Sequence, residues 1–165
     1  MIETLVAIYE DKIVGEIHWD RKQDEMRFRY DKKWRSSRLA FPLSLSMPLR
    51  TVEHGHEQVD AFLWGLLPDN DGVLKQWSER FQVSNRHSFQ LLSKVGEDCA
   101  GAIQLVQLNR VDQFLNHQND EIDWLTQSEV EDRIHTLLRD HSATRLIPRK
   151  SAGESRPAPS RRPIF

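Results

Sequence analysis

The sequence has a single cysteine, Cys99, among its 165 residues. One cysteine excludes an internal disulfide framework and a zinc site built from cysteines. Long apolar runs are missing too, since none approaches the roughly 20 residues that a membrane-spanning helix needs. The N-terminal residues Met1–Thr4 lack the basic and apolar regions of a secretory signal peptide. We therefore expect a cytoplasmic protein.

Sequence signatures of nucleotide-binding and hydrolytic enzymes are also absent. The chain has no Gly-x-Gly-x-x-Gly or Walker A loop, no Gly-x-Ser-x-Gly elbow and no His-Glu-x-x-His motif. It lacks the catalytic-loop Asp with a downstream Asn and the metal-binding Asp of kinases. We therefore assign no catalytic residue, no cofactor and no metal ligand, and we expect that this chain is not an enzyme.

Three polar segments have two interpretations each. His54 and His56 suggest a metal site, but two histidines in a loop do not define a coordination geometry, so we favour a solvated polar loop. Asp69–Asp71 suggests a cation site, but Asp and Asn are also typical turn formers. Gly96–Gly101 contains the Cys99 thiol without a paired histidine, which favours a structural turn with a small buried cysteine.

Charge is distributed unevenly along the chain. Residues 145–165 contain six basic residues, one acidic residue and four of the seven prolines, for a net charge of +5. The preceding 144 residues carry 17 basic and 24 acidic side chains, for a net charge of −7. Because the basic segment has few large apolar residues to bury, we expect 1–144 to form one domain and 145–165 to be a disordered tail.

The first thirty residues predict an antiparallel meander. Thr4–Glu10 and Ile13–Trp19 are rich in β-branched and aromatic residues and flank a short polar link, as in a β-hairpin. Glu25–Tyr30 alternates apolar and charged residues, which is typical of a strand with one buried face. Gly15 indicates a bulge or a close approach of two backbones.

The rest of the sequence predicts mainly helices, and hence an α+β fold. A capping box over Thr126–Glu129, with Leu125 and Val130 as a hydrophobic staple, predicts a helix that runs to about Asp140. Prolines bound the alternating segment Pro42–Leu49, which we expect to be extended and either at a sheet edge or irregular. The other predicted elements are helices over 32–39, 59–67, 73–81 and 89–95 and a strand over 102–108.

Five tryptophans raise the question of a binding surface. Trp64 lies one position off the apolar face of its predicted helix, so we expect it to be only partly covered. Tryptophan is enriched at interface hot spots. Core packing remains the interpretation we favour for the tryptophans as a group.

Three motif-like stretches follow one another along the chain after the hairpin residues Ile13–Gly15: Pro42–Leu49, Phe62–Asp69 and Phe89–Ala102. In their order and spacing they resemble the N-terminal subdomain of HipA-type serine/threonine kinase toxins, in which the hairpin also precedes them. The resemblance covers about residues 4–140. It implies a small antiparallel, barrel-like sheet with helices packed on it. The positions that carry over are scaffold positions: Pro42–Leu49, Leu66–Asp69, Gly96, Gly101 and Ala102.

The resemblance also implies partners. In full-length toxins of this family the subdomain precedes a kinase core that binds ATP and magnesium and acts on a glutamyl-tRNA synthetase. A helix-turn-helix antitoxin, HipB, neutralises the kinase and anchors it on operator DNA. In split systems the subdomain is a separate chain that restrains the kinase. No kinase-core motif is present here.

We therefore expect a non-catalytic module that binds a HipB-like antitoxin or a separate kinase core, and that reaches DNA only through the antitoxin. Trp64, Pro68 and Asp69 are the candidate contacts. Two alternatives are part of an active kinase and a non-specific nucleic-acid binder that uses the basic tail.

The sequence of the tail suggests how the tail arose. Codons can be chosen for residues 154–163 that, when read in the frame two nucleotides later, encode Ser-Pro-Gly-Ala-Gln-Pro-Lys-Thr. This peptide resembles the entry to the family's kinase core. We expect that a frameshift near residues 144–154 truncated a longer protein. The nucleotide sequence downstream tests this expectation.

Overall fold

The apolar N-terminal stretches form the predicted hairpin and meander. In the computed structural model, which describes residues 1–98, 102–116 and 125–139, β1 spans Ile2–Tyr9 and β2 spans Lys12–Asp20. The link between them includes Glu10, whose φ of 53° lies in the left-handed region. Strand β3 spans Glu25–Tyr30 and pairs antiparallel with β2. The prediction of three antiparallel strands is confirmed.

Gly15 fulfils both expectations stated for it. The register between β1 and β2 shifts near Val14, which creates a β-bulge. A Cβ atom on Gly15 would lie 2.6 Å from Cζ of Phe28 and would press against the carbonyl oxygen of Arg29. Only glycine lets β2 and β3 come this close.

Two further strands extend the meander into a five-stranded antiparallel sheet of order β4-β3-β2-β1-β5. Strand β4 (Glu53–His54) pairs with β3, and strand β5 (Ile103–Gln107) returns to pair with β1. The α+β class is confirmed. The sheet is open, with β4 and β5 as its edges, so the expected barrel-like closure is not seen in the described residues.

The described residues contain six α-helices. They are α1 (Lys32–Arg35), α2 (His56–Trp64), α3 (Asp71–Phe81), α4 (Ser88–Val95), α5 (Val111–Leu115) and α6 (Gln127–Arg139). The prediction for α1 was too long, since the helix ends where Ser36 caps it. Helix α2 begins and ends three residues before its predicted bounds, and α5 was not predicted.

The core lies on both faces of β1. The main core combines Met26, Phe28 and Tyr30 of β3 with buried residues of α2, α3 and α4. A smaller cluster of Val6, Ile8, Val106 and Val111 lies on the other face, with Ile13, Phe114 and Leu115 packed against it. The two cores explain why Leu5–Ile8 is continuously apolar.

Three tryptophans belong to this core, as predicted. Trp19, Trp34 and Trp77 are buried, whereas Trp64 is half-buried. Trp124 lies outside the described residues.

The chain divides into two units, Met1–Asp120 and Glu121–Phe165, and α6 belongs to the second. The predicted capping box is present: the Thr126 N–H donates to Oε2 of Glu129 at 2.7 Å, and the Glu129 N–H donates to Oγ1 of Thr126 at 3.4 Å. Val130, Ile134 and Leu138 on this helix are exposed. The predicted tail, 145–165, lies outside the described residues.

Candidate functional site

The turn between α2 and α3 brings the three predicted contact residues together. Helix α2 ends at Trp64, and the chain turns at once because the Leu67 N–H donates to the carbonyl oxygen of Trp64 at 3.1 Å. Asn70 then begins α3 as its N-cap residue. Trp64, Pro68 and Asp69 therefore lie within one short turn.

Asn70 secures the far end of this turn. Its Oδ1 accepts hydrogen bonds from the N–H groups of Gly72 at 2.9 Å and Val73 at 3.3 Å. These two donors belong to the first turn of α3, where a helix has no internal acceptors. The interpretation of Asp69–Asp71 as turn formers is thereby confirmed for Asn70.

Buried leucines hold the inner side of the same turn. Leu63 and Leu67 are buried, while Trp64 and Pro68 are half-buried and Asp69 is exposed. The turn therefore presents an aromatic ring, a proline ring and a carboxylate from an anchored backbone. This combination is suited to docking a protein, because aromatic anchors dominate protein interfaces.

Tyr30 organises the segment Pro42–Leu49 that the family resemblance singled out. Its hydroxyl donates to the carbonyl oxygen of Met47 at 2.6 Å and accepts from the Leu43 N–H at 2.8 Å. Burial raises the pKa of the Tyr30 hydroxyl, which therefore stays protonated. Met47 is buried and Leu45 is 97% exposed. The expectation of an extended segment was wrong, because the hydroxyl bonds both sides of a turn.

Removing this hydroxyl should loosen the turn. We expect Tyr30→Phe to lower the free energy of unfolding by about 1–3 kcal/mol, because two backbone groups lose their partner. Urea denaturation measures the loss, and hydrogen exchange at the Leu43 amide should accelerate. Tyr9→Phe is the matched control, since Tyr9 is only half-buried. Equal effects of the two variants would contradict the proposed role of Tyr30.

The two histidines beside Gly55 occupy different environments. His56 is exposed, and its Nδ1 accepts the Met26 N–H at 3.1 Å. His54 is buried in β4 with its ring 5.6 Å from that of Tyr30, and burial lowers its pKa. The expectation of a solvated loop was therefore wrong for His54. Among the described residues, no group of three or more His, Cys, Asp or Glu side chains could hold a metal ion.

One cluster that the sequence did not predict joins the β2–β3 turn to α4. Asp24 Oδ1 lies 2.9 Å from Nε2 of His87 and accepts from Nε1 of Trp19 at 2.9 Å. These hydrogen bonds, with that to His87 the stronger influence, lower the pKa of the Asp24 carboxyl. The rings of Trp19 and His87 are 4.3 Å apart. The cluster links two elements of the fold, and no local pattern could reveal a pair 63 positions apart.

The glycine-containing segment after α4 is a structural turn, as predicted. Gly96–Asp98 forms a 3-10 turn, and a Cβ atom on Gly96 would lie 2.8 Å from Cβ of Leu105. Cys99 and Gly101 lie outside the described residues.

Comparison with known protein families identifies the family to which this domain belongs. Residues 5–106 match the family model of the HipA N-terminal domain. The chain belongs to the HipA N-terminal domain family. The resemblance seen in the sequence is thereby confirmed, and the matched residues run from β1 to β5.

Two relatives show in which protein and in which complex similar domains occur. The chain is 38% identical over 103 residues to the serine/threonine-protein kinase toxin HipA of Shewanella oneidensis, which is 62% of this chain and 23% of that protein. A solved complex of HipA, HipB and operator DNA from Shewanella oneidensis MR-1 matches with a TM-score of 0.61 and 28% identity, covering 93% of this chain and 32% of the solved one. The chain thus spans about a quarter of the curated relative and a third of the solved one.

The HipA N-terminal domain match includes every described segment that the resemblance implied as scaffold, but α6 falls beyond it. Within the part of the chain that the structure describes, no helix is both long and apolar enough to cross a membrane.

Proposed function

We propose that this chain is a non-catalytic interaction module of a HipA-type toxin-antitoxin system. Its partner is a HipB-like helix-turn-helix antitoxin, or a HipA-type kinase core supplied as a separate chain. The observation that carries the proposal is the family match over 5–106, supported by a solved relative whose complex contains HipB. We assign the phosphoryl-transfer chemistry of the kinase relative to segments outside this match, and sequence reading of the operator to the antitoxin.

The turn between α2 and α3 is the docking surface in this proposal. It combines a half-buried ring, Trp64, with an exposed carboxylate, Asp69, on a backbone anchored by Leu63, Leu67 and Asn70. An anchored backbone loses little conformational freedom on binding, which favours affinity.

Charge also favours an antitoxin as the partner. Residues 1–144 carry a net charge of −7. Helix-turn-helix proteins present basic surface to DNA, so an acidic module is attracted to them at long range. The exposed Asp69 adds to this attraction at the docking surface itself.

We expect Trp64→Ala to weaken binding by about 30-fold, the loss typical of an aromatic hot spot of about 2 kcal/mol. Asp69→Lys should mainly slow association, because it reverses a charge at the edge of the contact. Calorimetry and stopped-flow mixing measure these effects, using the antitoxin and kinase proteins encoded by the neighbouring genes.

Glu79→Lys on α3 is the matched control for Asp69→Lys, since Glu79 is also exposed and the charge change is the same. A folded wild-type chain that binds neither partner would overturn the proposed function. Normal binding by Trp64→Ala would overturn only the assignment of the docking surface.

A further inference from the structure

A basic segment interrupts the acidic body between Met26 and Val52. It contains seven basic residues and one acidic residue, Asp31. The other residues of 1–144 carry 10 basic and 23 acidic side chains. The positive charge of this body is therefore concentrated on α1 and the residues around it. The seven are Arg27, Arg29, Lys32, Lys33, Arg35, Arg38 and Arg50.

Five of these cations are exposed and form no ion pair with any residue in 1–98, 102–116 or 125–139. One of them, Arg29, lies on β3. The other four lie on α1 or in the chain that follows it, and we call them the basic patch: Lys32, Lys33, Arg38 and Arg50. The carboxylate within this stretch of sequence, Asp31, is engaged by the backbone: its Oδ1 accepts the N–H groups of Lys33 at 2.7 Å and Trp34 at 3.1 Å. By contrast, Arg27 on β3 pairs with Glu53 at 3.5 Å.

The fold holds the patch together on a fixed backbone. Trp34 is buried in the core and fastens α1 to it. Arg35, the half-buried cation of α1, donates from Nε to the carbonyl oxygen of Leu49 at 2.8 Å, which brings Arg50 beside the helix. The Ser37 N–H donates to the carbonyl oxygen of Trp34 at 2.9 Å and carries the turn on toward Arg38.

We propose that the basic patch contacts the phosphate backbone of duplex DNA. The contact is independent of base sequence and adds a direct anchor to the indirect one through the antitoxin. It rests on the proposed function in one respect: the antitoxin brings the chain to its operator.

The composition of the patch favours DNA over an acidic protein. Lysine is depleted at the centre of protein interfaces, whereas Lys and Arg side chains supply most contacts to DNA phosphates. The remainder of the body carries 23 acidic against 10 basic side chains and so repels a polyanion, which favours approach of DNA on the patch side. The solved relative that shares this domain is itself part of a complex with operator DNA.

The test measures binding of a fluorescent 20-base-pair duplex of arbitrary sequence to the full chain by anisotropy, between about 50 and 200 mM salt. We expect Lys32→Glu/Lys33→Glu to weaken binding at the lower salt at least about tenfold. The plot of the logarithm of the association constant against the logarithm of the salt concentration should become less steep by about two, since each phosphate contact contributes about 0.9 to the slope. Lys32→Gln/Lys33→Gln should show the same trend with less perturbation of charge.

Two full-length controls separate this patch from total charge and from the basic tail. Lys75→Glu/Lys94→Glu changes the same charge at exposed positions on α3 and α4, and should weaken binding less than about threefold. Equal losses in this control and in the patch variant would overturn the inference. A loss of duplex binding seen only in the tail variant Arg161→Glu/Arg162→Glu would also overturn the inference.

Capture of the antitoxin by the same variants distinguishes this inference from the proposed function. The patch variants should still bind the antitoxin normally. Lost antitoxin binding with unchanged duplex binding would make the patch a protein surface and refute the DNA contact. Duplex binding through the patch by a chain that captures neither the antitoxin nor a separate kinase core would refute the proposed function instead.

Discussion

Replacing Trp34 with alanine should lower the free energy of unfolding by about 3–5 kcal/mol, the range for truncating a buried large aromatic residue. The side chain is 2% exposed. Its ring lies 5.8 Å from that of Tyr9 and 5.2 Å from that of Phe41, and its Nε1 donates to the carbonyl oxygen of Phe41 at 3.3 Å. The variant therefore leaves a cavity, removes two aromatic contacts and detaches the four-residue helix α1 from the core.

Urea denaturation tests this expectation through the midpoint at a constant m-value. Trp64→Ala removes the same side chain from a half-buried site and should cost less than half as much. If both variants lost the same stability, Trp34 would not be the residue that attaches α1 to the core.

Gly15→Ala should cost about 3 kcal/mol, at the upper end of the range for overpacking a core. The added methyl group would lie 2.6 and 2.8 Å from two ring carbons of Phe28 and against the carbonyl oxygen of Arg29. A backbone carbonyl held in the β2–β3 ladder cannot move aside as a side-chain end can. The sheet must therefore separate locally, and the loss of both hydrogen bonds and packing should appear in thermal denaturation.

Gly55→Ala is the matched control for Gly15→Ala. The nearest atom to a methyl group there is Oε1 of Gln58 at 3.5 Å, an ordinary contact with the end of a flexible side chain. Gly55 is the N-cap residue of α2, where alanine is less favourable than glycine, so we expect a loss of at most about 1 kcal/mol, well below that at Gly15. A mild effect at both glycines would show that the bulge near Val14 relaxes easily.

The local parts of this fold were predictable from the sequence. The hairpin and β3 have the two-residue period of half-buried strands and short polar links, so neighbours along the chain are neighbours in the sheet. The capping box at Thr126 is likewise complete within four residues. The turn that carries Trp64 was predictable because proline and turn-forming residues follow α2 directly.

Non-local contacts explain the failures. Pro42–Leu49 has the alternation of a strand, but the hydroxyl of Tyr30, 13 residues before Leu43, converts it into a turn. The burial of His54 and the pairing of Asp24 with His87 also depend on residues distant in sequence. The net charge concealed the basic patch for a different reason, because an average over 144 residues does not report where the charges lie.

The pairing of β1 with β5 has a consequence for synthesis on the ribosome. Tyr9 of β1 faces Ile103 of β5, so about ninety residues must be translated before this pair can form. At about 5–20 residues per second, that takes roughly 5–20 s. During this interval β1, β2 and β3 have been synthesised and can pair with one another. The other side of the apolar β1 strand still lacks β5, and such an unpaired edge invites intermolecular pairing. The nascent chain is therefore most vulnerable to aggregation before β5 emerges, and chaperones have the most to protect then.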